Sequence, residues 1–145
     1  MKTRRRKSAA DAIARDCLAS RVRYLNRVLS SIYDQDLRPL RITINQLNML
    51  VALSRIPDVT AKKVGAFLHM DPSTTSRNLE RMRKAGWIQS TTGEDARSVR
   101  LGVTPSGTRM IEKAFPYWRK AQAKASEVIG REHIQALLQF SRTMT

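Results

Sequence analysis

Asp71–Pro72 and Gly86 divide the middle of this chain. An aspartate followed by proline places a side-chain acceptor at the N-cap and a residue without an N–H at the first helical position, where that N–H is not needed. Gly86 supplies the left-handed residue that ends such a helix. Nothing between them breaks a helix, so the sequence predicts one over 72–85. Upstream, Thr60 can cap a short helix over 61–68 that buries Val64 and Leu68. Downstream, Trp87–Thr91 and Val99–Val103 read as strands joined across Thr92–Ser98. The whole stretch from Val59 to Thr104, VTAKKVGAFLHMDPSTTSRNLERMRKAGWIQSTTGEDARSVRLGVT, is therefore a short helix, a capped turn, a second helix and a two-stranded ribbon with a charged tip. A helix fits the DNA major groove, and a charged ribbon tip can reach the minor groove beside it.

The flanks are helical. From Ser8 to about Tyr33 nothing interrupts a helix. Leu18, Val22, Leu25, Leu29 and Ile32 make one apolar stripe, and Ile13, Cys17, Tyr24 and Val28 a second. A face that wide is expected to be buried against more than one neighbour, with a second subunit a natural candidate. Residues 37–42, with Pro39, read as a linker. Thr43 starts a helix whose Leu47, Leu50, Val51 and Ser54 are expected to point one way, and Pro57 ends it. Thr104–Pro105 repeats the cap-plus-proline start for a long helix to about Ile129, in which Pro116 should introduce a kink. Gly130 separates a final helix over 131–142.

Charge narrows the partners. The chain has 145 residues, with 27 Lys and Arg against 12 Asp and Glu, for a formal net charge of +15. Such an excess points to a polyanion, nucleic acid first and an anionic membrane second. Residues 1–7 (MKTRRRK) are all neutral or positive and read as a basic flexible arm able to follow phosphates. No segment is apolar and long enough for a membrane span, and no apolar run follows the basic start, so no secretory signal is expected. A single cysteine cannot form an internal disulfide, which suits a reducing, cytoplasmic setting.

On the helix over 72–85, Thr75, Leu79 and Met82 fall on one face, set to pack on the preceding helix. Ser73 and Arg77 point away from that face, with Thr74, Ser76 and Arg81 on its flanks. Short hydroxyls at a helix start can approach base edges and phosphates closely, and Arg77 is long enough to fork onto guanine or clamp a phosphate. Taken alone, this face also fits a solvated amphipathic helix; the flanking motifs tip the balance toward groove entry. In the ribbon, Asp95 can pair with an arginine and stiffen the tip. A stiff tip loses less entropy when Arg97 enters a narrow groove.

The runs DPSTTSRNLERMRKAGWI and EDARSVRLGVTPSG resemble the MarR family of winged helix-turn-helix regulators, and the resemblance extends from about Cys17 to Gln139. It implies a mainly α fold: a winged helix-turn-helix with a small antiparallel β-wing, inside a helical dimerisation frame. Residues 37–104 would form the DNA-binding domain, and 8–36 with 105–145 the dimerisation region. The resemblance places the helix matching 72–85 in the major groove, where the outward face read above makes Ser73, Thr74, Ser76, Arg77 and Arg81 the expected contact residues. It places Asp95 and Arg97 at the wing tip. It further implies a homodimer on double-stranded DNA, usually a repressor released by a small, often aromatic, effector bound between frame and reading heads.

Other residues carry weaker signals. The resemblance implies that some members sense peroxides through a cysteine on the helix that carries Cys17, yet Cys17 lies on an apolar stripe, where cysteine is usually a small hydrophobe. Tyr33 and Trp118 are candidates to line an effector pocket, although aromatics at helical spacing more often belong to a core. His69 and His133 lack ligand-spaced neighbours, so neither metal nor cofactor is expected. The close acids Asp34/Asp36 and Glu94/Asp95 suit structural or solvated roles. With no paired nucleophile and base and no glycine-rich phosphate loop, an enzyme is not expected. A ligand-indifferent architectural DNA binder remains the alternative to a switching regulator.

Overall fold

The computed structural model describes residues 8–57, 59–92 and 99–143. Seven α-helices and a two-stranded antiparallel sheet appear among them: α1 Ala9–Asp16, α2 Leu18–Leu37, α3 Ile44–Arg55, α4 Ala61–Phe67, α5 Pro72–Lys84, β1 Ile88–Thr92, β2 Val99–Val103, α6 Pro105–Ile129 and α7 Arg131–Thr143.

Helix starts follow the caps in the sequence. Ser8 with Asp11 and Thr43 with Gln46 form complete capping boxes at α1 and α3, each satisfying two otherwise orphaned N–H groups. Thr60, Asp71 and Thr104 accept from the third residue onward at α4, α5 and α6. Gly86 and Gly130 take positive φ values of 74° and 86° where α5 and α6 end, a conformation open to a residue without Cβ.

The core lies where α3 meets α6, α4, α5 and the sheet. Leu37, Met49, Leu50, Val59, Val64 and Met82 are its fully buried large side chains. β1 and β2 pair in the register Ile88↔Val103, Ser90↔Leu101 and Thr92↔Val99, so Ile88 and Leu101 face inward while the rest of the ribbon is more open. A single bridge from Val59 to Leu101 adds a third chain segment to the sheet edge, with Leu101 N–H donating to the Val59 carbonyl at 2.9 Å.

α2 lies along α6. The small side chains Ala114, Ala121 and Ala125 form the buried line of α6 and let the two backbones come close. Polar links span the same seam. Lys124 Nζ donates to Asp36 Oδ1 at 2.7 Å, with Lys120 Nζ 3.8 Å from the same oxygen, and the Tyr33 hydroxyl donates to Gln122 Oε1. Asp34 at the same end of α2 accepts from Ile44 N–H at 2.7 Å. The end of α2 is thereby fixed to α3 and α6 at once.

The base of the sheet is joined to the start of α6. Thr104 N–H donates to the Trp87 carbonyl at 3.0 Å, and Thr104 Oγ1 donates to the Gly86 carbonyl at 2.6 Å. Gly107 sits so near that a β-carbon there would stand 2.1 Å from the Trp87 carbonyl oxygen. Only glycine fits such an approach.

The structure departs from the sequence at three places. The helix over 8–33 is two helices: Cys17 adopts φ −69°, ψ 106°, closing α1 and opening α2. No breaker residue marks the spot; α1 buries no residue in the single chain, so no packing holds the two segments in line. α2 also continues to Leu37, and the linker after it is a 3₁₀ turn over Arg38–Leu40 followed by Arg41 in the left-handed region, φ 55°. On α3, Val51 and Ser54 are exposed while Ile44, Met49, Ala52 and Leu53 join Leu47 and Leu50 inside, because α3 is wrapped by neighbours on several sides. α6 is helical throughout Pro105–Ile129, Pro116 included.

Candidate nucleic-acid interface

α5 has two sharply different faces. Thr75, Leu79 and Met82 are buried and meet α4 and α3. Ser73, Ser76, Arg77 and Arg81 are exposed and Thr74 is half-buried. The five proposed contact residues thus fall on or beside one outward face, as their spacing predicts.

The first turn is tightly organised. Asp71 Oδ1 accepts from Thr74 N–H at 2.8 Å and from Ser73 Oγ at 2.7 Å. The Thr74 side chain, the Ser73 hydroxyl and the Thr74 backbone N–H, in that order, hold its carboxyl far below the usual aspartate range. Thr75 Oγ1 donates to the Asp71 carbonyl at 2.9 Å. Arg77 folds back one turn: Nε donates to the Ser73 carbonyl at 3.2 Å and Nη2 to Ser73 Oγ at 3.3 Å. Asn78 Nδ2 similarly reaches the Thr74 carbonyl at 3.0 Å. At the other end of α5, Glu80 is engaged by Arg83 at 2.5 Å and Lys84 at 3.6 Å.

His69, in the turn between α4 and α5, is exposed with φ 51°, and its N–H donates to the Ala66 carbonyl at 3.2 Å. Lys62 and Lys63 are exposed on the first turn of α4; no motif marks them in the sequence, and the place of α4 beside α5 follows only from the packing. Asp95 and Arg97 lie outside the described residues, as do Glu94 and the arm 1–7.

A cleft of about 630 Å³ opens between α4, α5 and the sheet, lined by Lys62, Met70, Ser76, Leu79, Ile88 and Leu101 among others. Neither Tyr33 nor Trp118 lines it. The Tyr33 hydroxyl is engaged by Gln122, and Trp118 stacks on Phe115 with centroids 6.0 Å apart, so both rings take part in packing around α6. Among the described residues, no group of three His, Cys, Asp or Glu is placed to hold a metal ion, and no helix is long and apolar enough to cross a membrane.

Cys17 is half-buried at the junction of α1 and α2. The nearby Ser20 backbone and then the Ser20 side chain lower its thiol pKa, against a smaller upward push from burial, while the Ser20 hydroxyl donates to the Cys17 carbonyl at 2.9 Å. This is the first turn of α2, where free N–H groups favour a thiolate. A thiol on a buried stripe of a continuous helix would lack that environment. Around it, Ile13, Leu18, Val22 and Tyr24 are exposed, and so are Val128, Leu138 and Phe140 near the other end of the chain.

Comparison with known proteins gives a consistent result. A family model described as the MarR family matches residues 42–98. The organic hydroperoxide resistance transcriptional regulator of Bacillus subtilis (strain 168) is 34% identical over 90 residues, 61% of this chain and 61% of that protein. The HTH-type transcriptional regulator YwoH of the same organism is 25% identical over 87 residues, 60% of this chain and 64% of that one. The match therefore spans less than two thirds of either relative. Among solved structures, the M. tuberculosis transcriptional regulator MosR in complex with DNA is 31% identical, with a TM-score of 0.71 over 89% of this chain and 98% of that one. A mutant MarR from E. coli complexed with operator DNA has the same fold, with a TM-score of 0.79 over 91% and 96% of the two chains at 18% identity.

Proposed function

The chain belongs to the MarR family of DNA-binding transcriptional regulators, a family of non-enzymatic proteins, and from there we propose that it is a homodimeric, sequence-specific repressor acting on a near-palindromic operator in the cytoplasm. One observation carries the reading: the sidedness of α5, with Thr75, Leu79 and Met82 inside and Ser73, Ser76, Arg77 and Arg81 outside. Ser73, Thr74, Ser76, Arg77 and Arg81 are the residues we assign to the major groove, and Asp95 and Arg97 to the wing tip. The MosR structure, a relative bound to DNA, supports the same assignment.

Residues 37–104 serve as the DNA-binding domain in this reading, and 8–36 with 105–145 as the dimerisation region, with 1–7 a basic arm. The exposed apolar side chains of α1, α2 and α7 favour burial against a second copy, since exposed patches of this kind mark association surfaces. A two-fold dimer would set its half-sites about 34 Å, one helical turn, apart. Release by a small aromatic effector, with Tyr33 and Trp118 beside its pocket, completes the proposal.

The test is selection from a random duplex pool by the purified protein. Retention of a near-palindrome with half-sites one turn apart is the expected result. Enrichment of nothing beyond A·T-rich or bendable DNA would replace it with an architectural, ligand-indifferent binder.

A second reading has its own observation. The lowered pKa of Cys17 at the start of α2 favours a thiol-based peroxide sensor as the switch. Hydroperoxide should then release the selected operator from wild-type protein and not from Cys17→Ser; equal release, or none from either, removes this switch.

A further inference from the structure

Ser73 Oγ carries one proton, and that proton is already committed. Oγ lies 2.7 Å from Asp71 Oδ1, and a carboxylate can only accept. The same Oγ accepts from Arg77 Nη2 at 3.3 Å, while Arg77 Nε donates to the Ser73 carbonyl at 3.2 Å. Ser73 therefore has no proton left for a base edge. It takes up two of the five guanidinium N–H groups of Arg77, both on the Nε/Nη2 side. The outer Nη1/Nη2 edge has no partner among the described residues. This arrangement also draws Arg77 toward the N-terminal end of α5, the end of a recognition helix that meets base edges first.

We infer that Ser73 is a positioning residue for Arg77, anchored by Asp71, and that the outer edge of Arg77 is aimed at the O6 and N7 acceptors of a guanine. This deepens the assignment of α5 to the major groove and rests on it. Two parallel N–H groups match that pair of acceptors, the commonest specific contact of arginine with DNA. A free arginine side chain has many rotamers to lose on docking; one held at two points loses fewer. The Ser73 hydroxyl then contributes to specificity through Arg77 without touching a base.

The experiment uses the full chain and the half-site obtained by selection. Affinity ratios are measured between the selected duplex and duplexes in which each G·C pair is swapped in turn, for wild type, Arg77→Ala, Ser73→Ala and Ser73→Thr. Thermal unfolding checks that each variant is folded. Arg77→Ala should abolish the preference at one G·C pair per half-site, a ratio of about tenfold or more. Ser73→Ala should lower the ratio at that same pair, and Ser73→Thr, which keeps the hydroxyl, should restore it. A loss at a different pair in Ser73→Ala would make Ser73 a direct reader and overturn the inference. So would an unchanged ratio. Weakening of all duplexes alike by Arg77→Ala would put Arg77 on a phosphate and overturn it as well. If the wild type selects no sequence, the assignment of α5 falls first; if it selects half-sites and Ser73→Ala reads them unchanged, only the positioning role falls.

Discussion

Gly65 and Thr75 meet without room for a methyl group: a β-carbon at Gly65 would stand 2.8 Å from Thr75 Oγ1 and 3.2 Å from its Cγ2. Thr75 cannot turn aside, because it is buried and its hydroxyl is held by the Asp71 carbonyl. This contact sets how closely α4 approaches α5, and so where the outward face of α5 sits relative to the turn before it.

Gly65→Ala should accordingly destabilise the fold by about 1–3 kcal/mol, the usual cost of forcing an extra carbon into a packed interior. Combining it with Thr75→Ala should cost less than the two single changes added together. Urea unfolding of the three variants measures the coupling; strict additivity would mean the helices part without strain.

Asp36 is nearly buried, with a side chain only 8% exposed, and its Oδ2 has no hydrogen-bond partner among the described residues. Its charge is balanced by Lys124 at 2.7 Å and by Lys120 at 3.8 Å. Lys124→Met should lower stability by about 1–3 kcal/mol by leaving a buried carboxylate poorly paired. Replacing both partners, Asp36→Leu with Lys124→Met, should recover most of the loss, because an apolar pair of similar shape has no charge to desolvate. A double variant as weak as the single would show that the pair itself supplies the stability.

Asp71 gives a pH signature. Its carboxyl pKa is depressed in the folded chain from an ordinary value of 3.8. Its contribution is therefore present above the unfolded value and lost as pH falls through the folded one. Asp71→Asn keeps a capping oxygen but has no proton to take up. The difference in melting temperature between wild type and Asp71→Asn should shrink from about pH 5 to about pH 2. A difference independent of pH would mean that the charge at this cap does not matter.

Ser20 supplies the two largest influences that depress the Cys17 thiol, first its backbone and then its side chain, whose hydroxyl donates to the Cys17 carbonyl at 2.9 Å. Ser20→Ala removes only the second. Its thiol pKa should rise partway toward the ordinary cysteine value, and the pH profile of iodoacetamide alkylation should move upward with it. An unmoved profile would leave the backbone of α2 as the source of the shift.

Much of the fold was legible because it is local. Asp71, Pro72, Gly86, Thr104 and Gly130 each act within a turn of their own position, and each ends or starts a helix where the sequence places it. The Val59–Leu101 bridge joins segments distant in sequence, the break at Cys17 has no breaker residue, and the left-handed Arg41 and His69 carry no glycine to mark them. The close approaches at Gly65 and Gly107 were equally invisible, since a glycine does not announce what it lies against. For the interface, the exposed face of α5 follows from helical periodicity. The tether from Arg77 to Ser73 does not, because the same spacing also permits an arginine extended into solvent. Tyr33 and Trp118 stand out in the sequence by their ring chemistry, but their engagement by Gln122 and Phe115 follows only from the packing of α2 and α6.

The junction of Thr104, Gly107 and Trp87 gives α6 a mechanical role. With 25 residues, α6 is a rod of about 37 Å, and its first turn is bolted to the base of the hairpin by backbone contacts that no rotamer change can loosen. A tilt of about 5° pivoting at the far end would swing that first turn through roughly 3 Å. The hairpin would have to travel with it, as a crank travels with its shaft. Whatever displaces the distal end of α6 is thus geared directly to the reach of the ribbon, with no flexible joint between them to absorb the stroke.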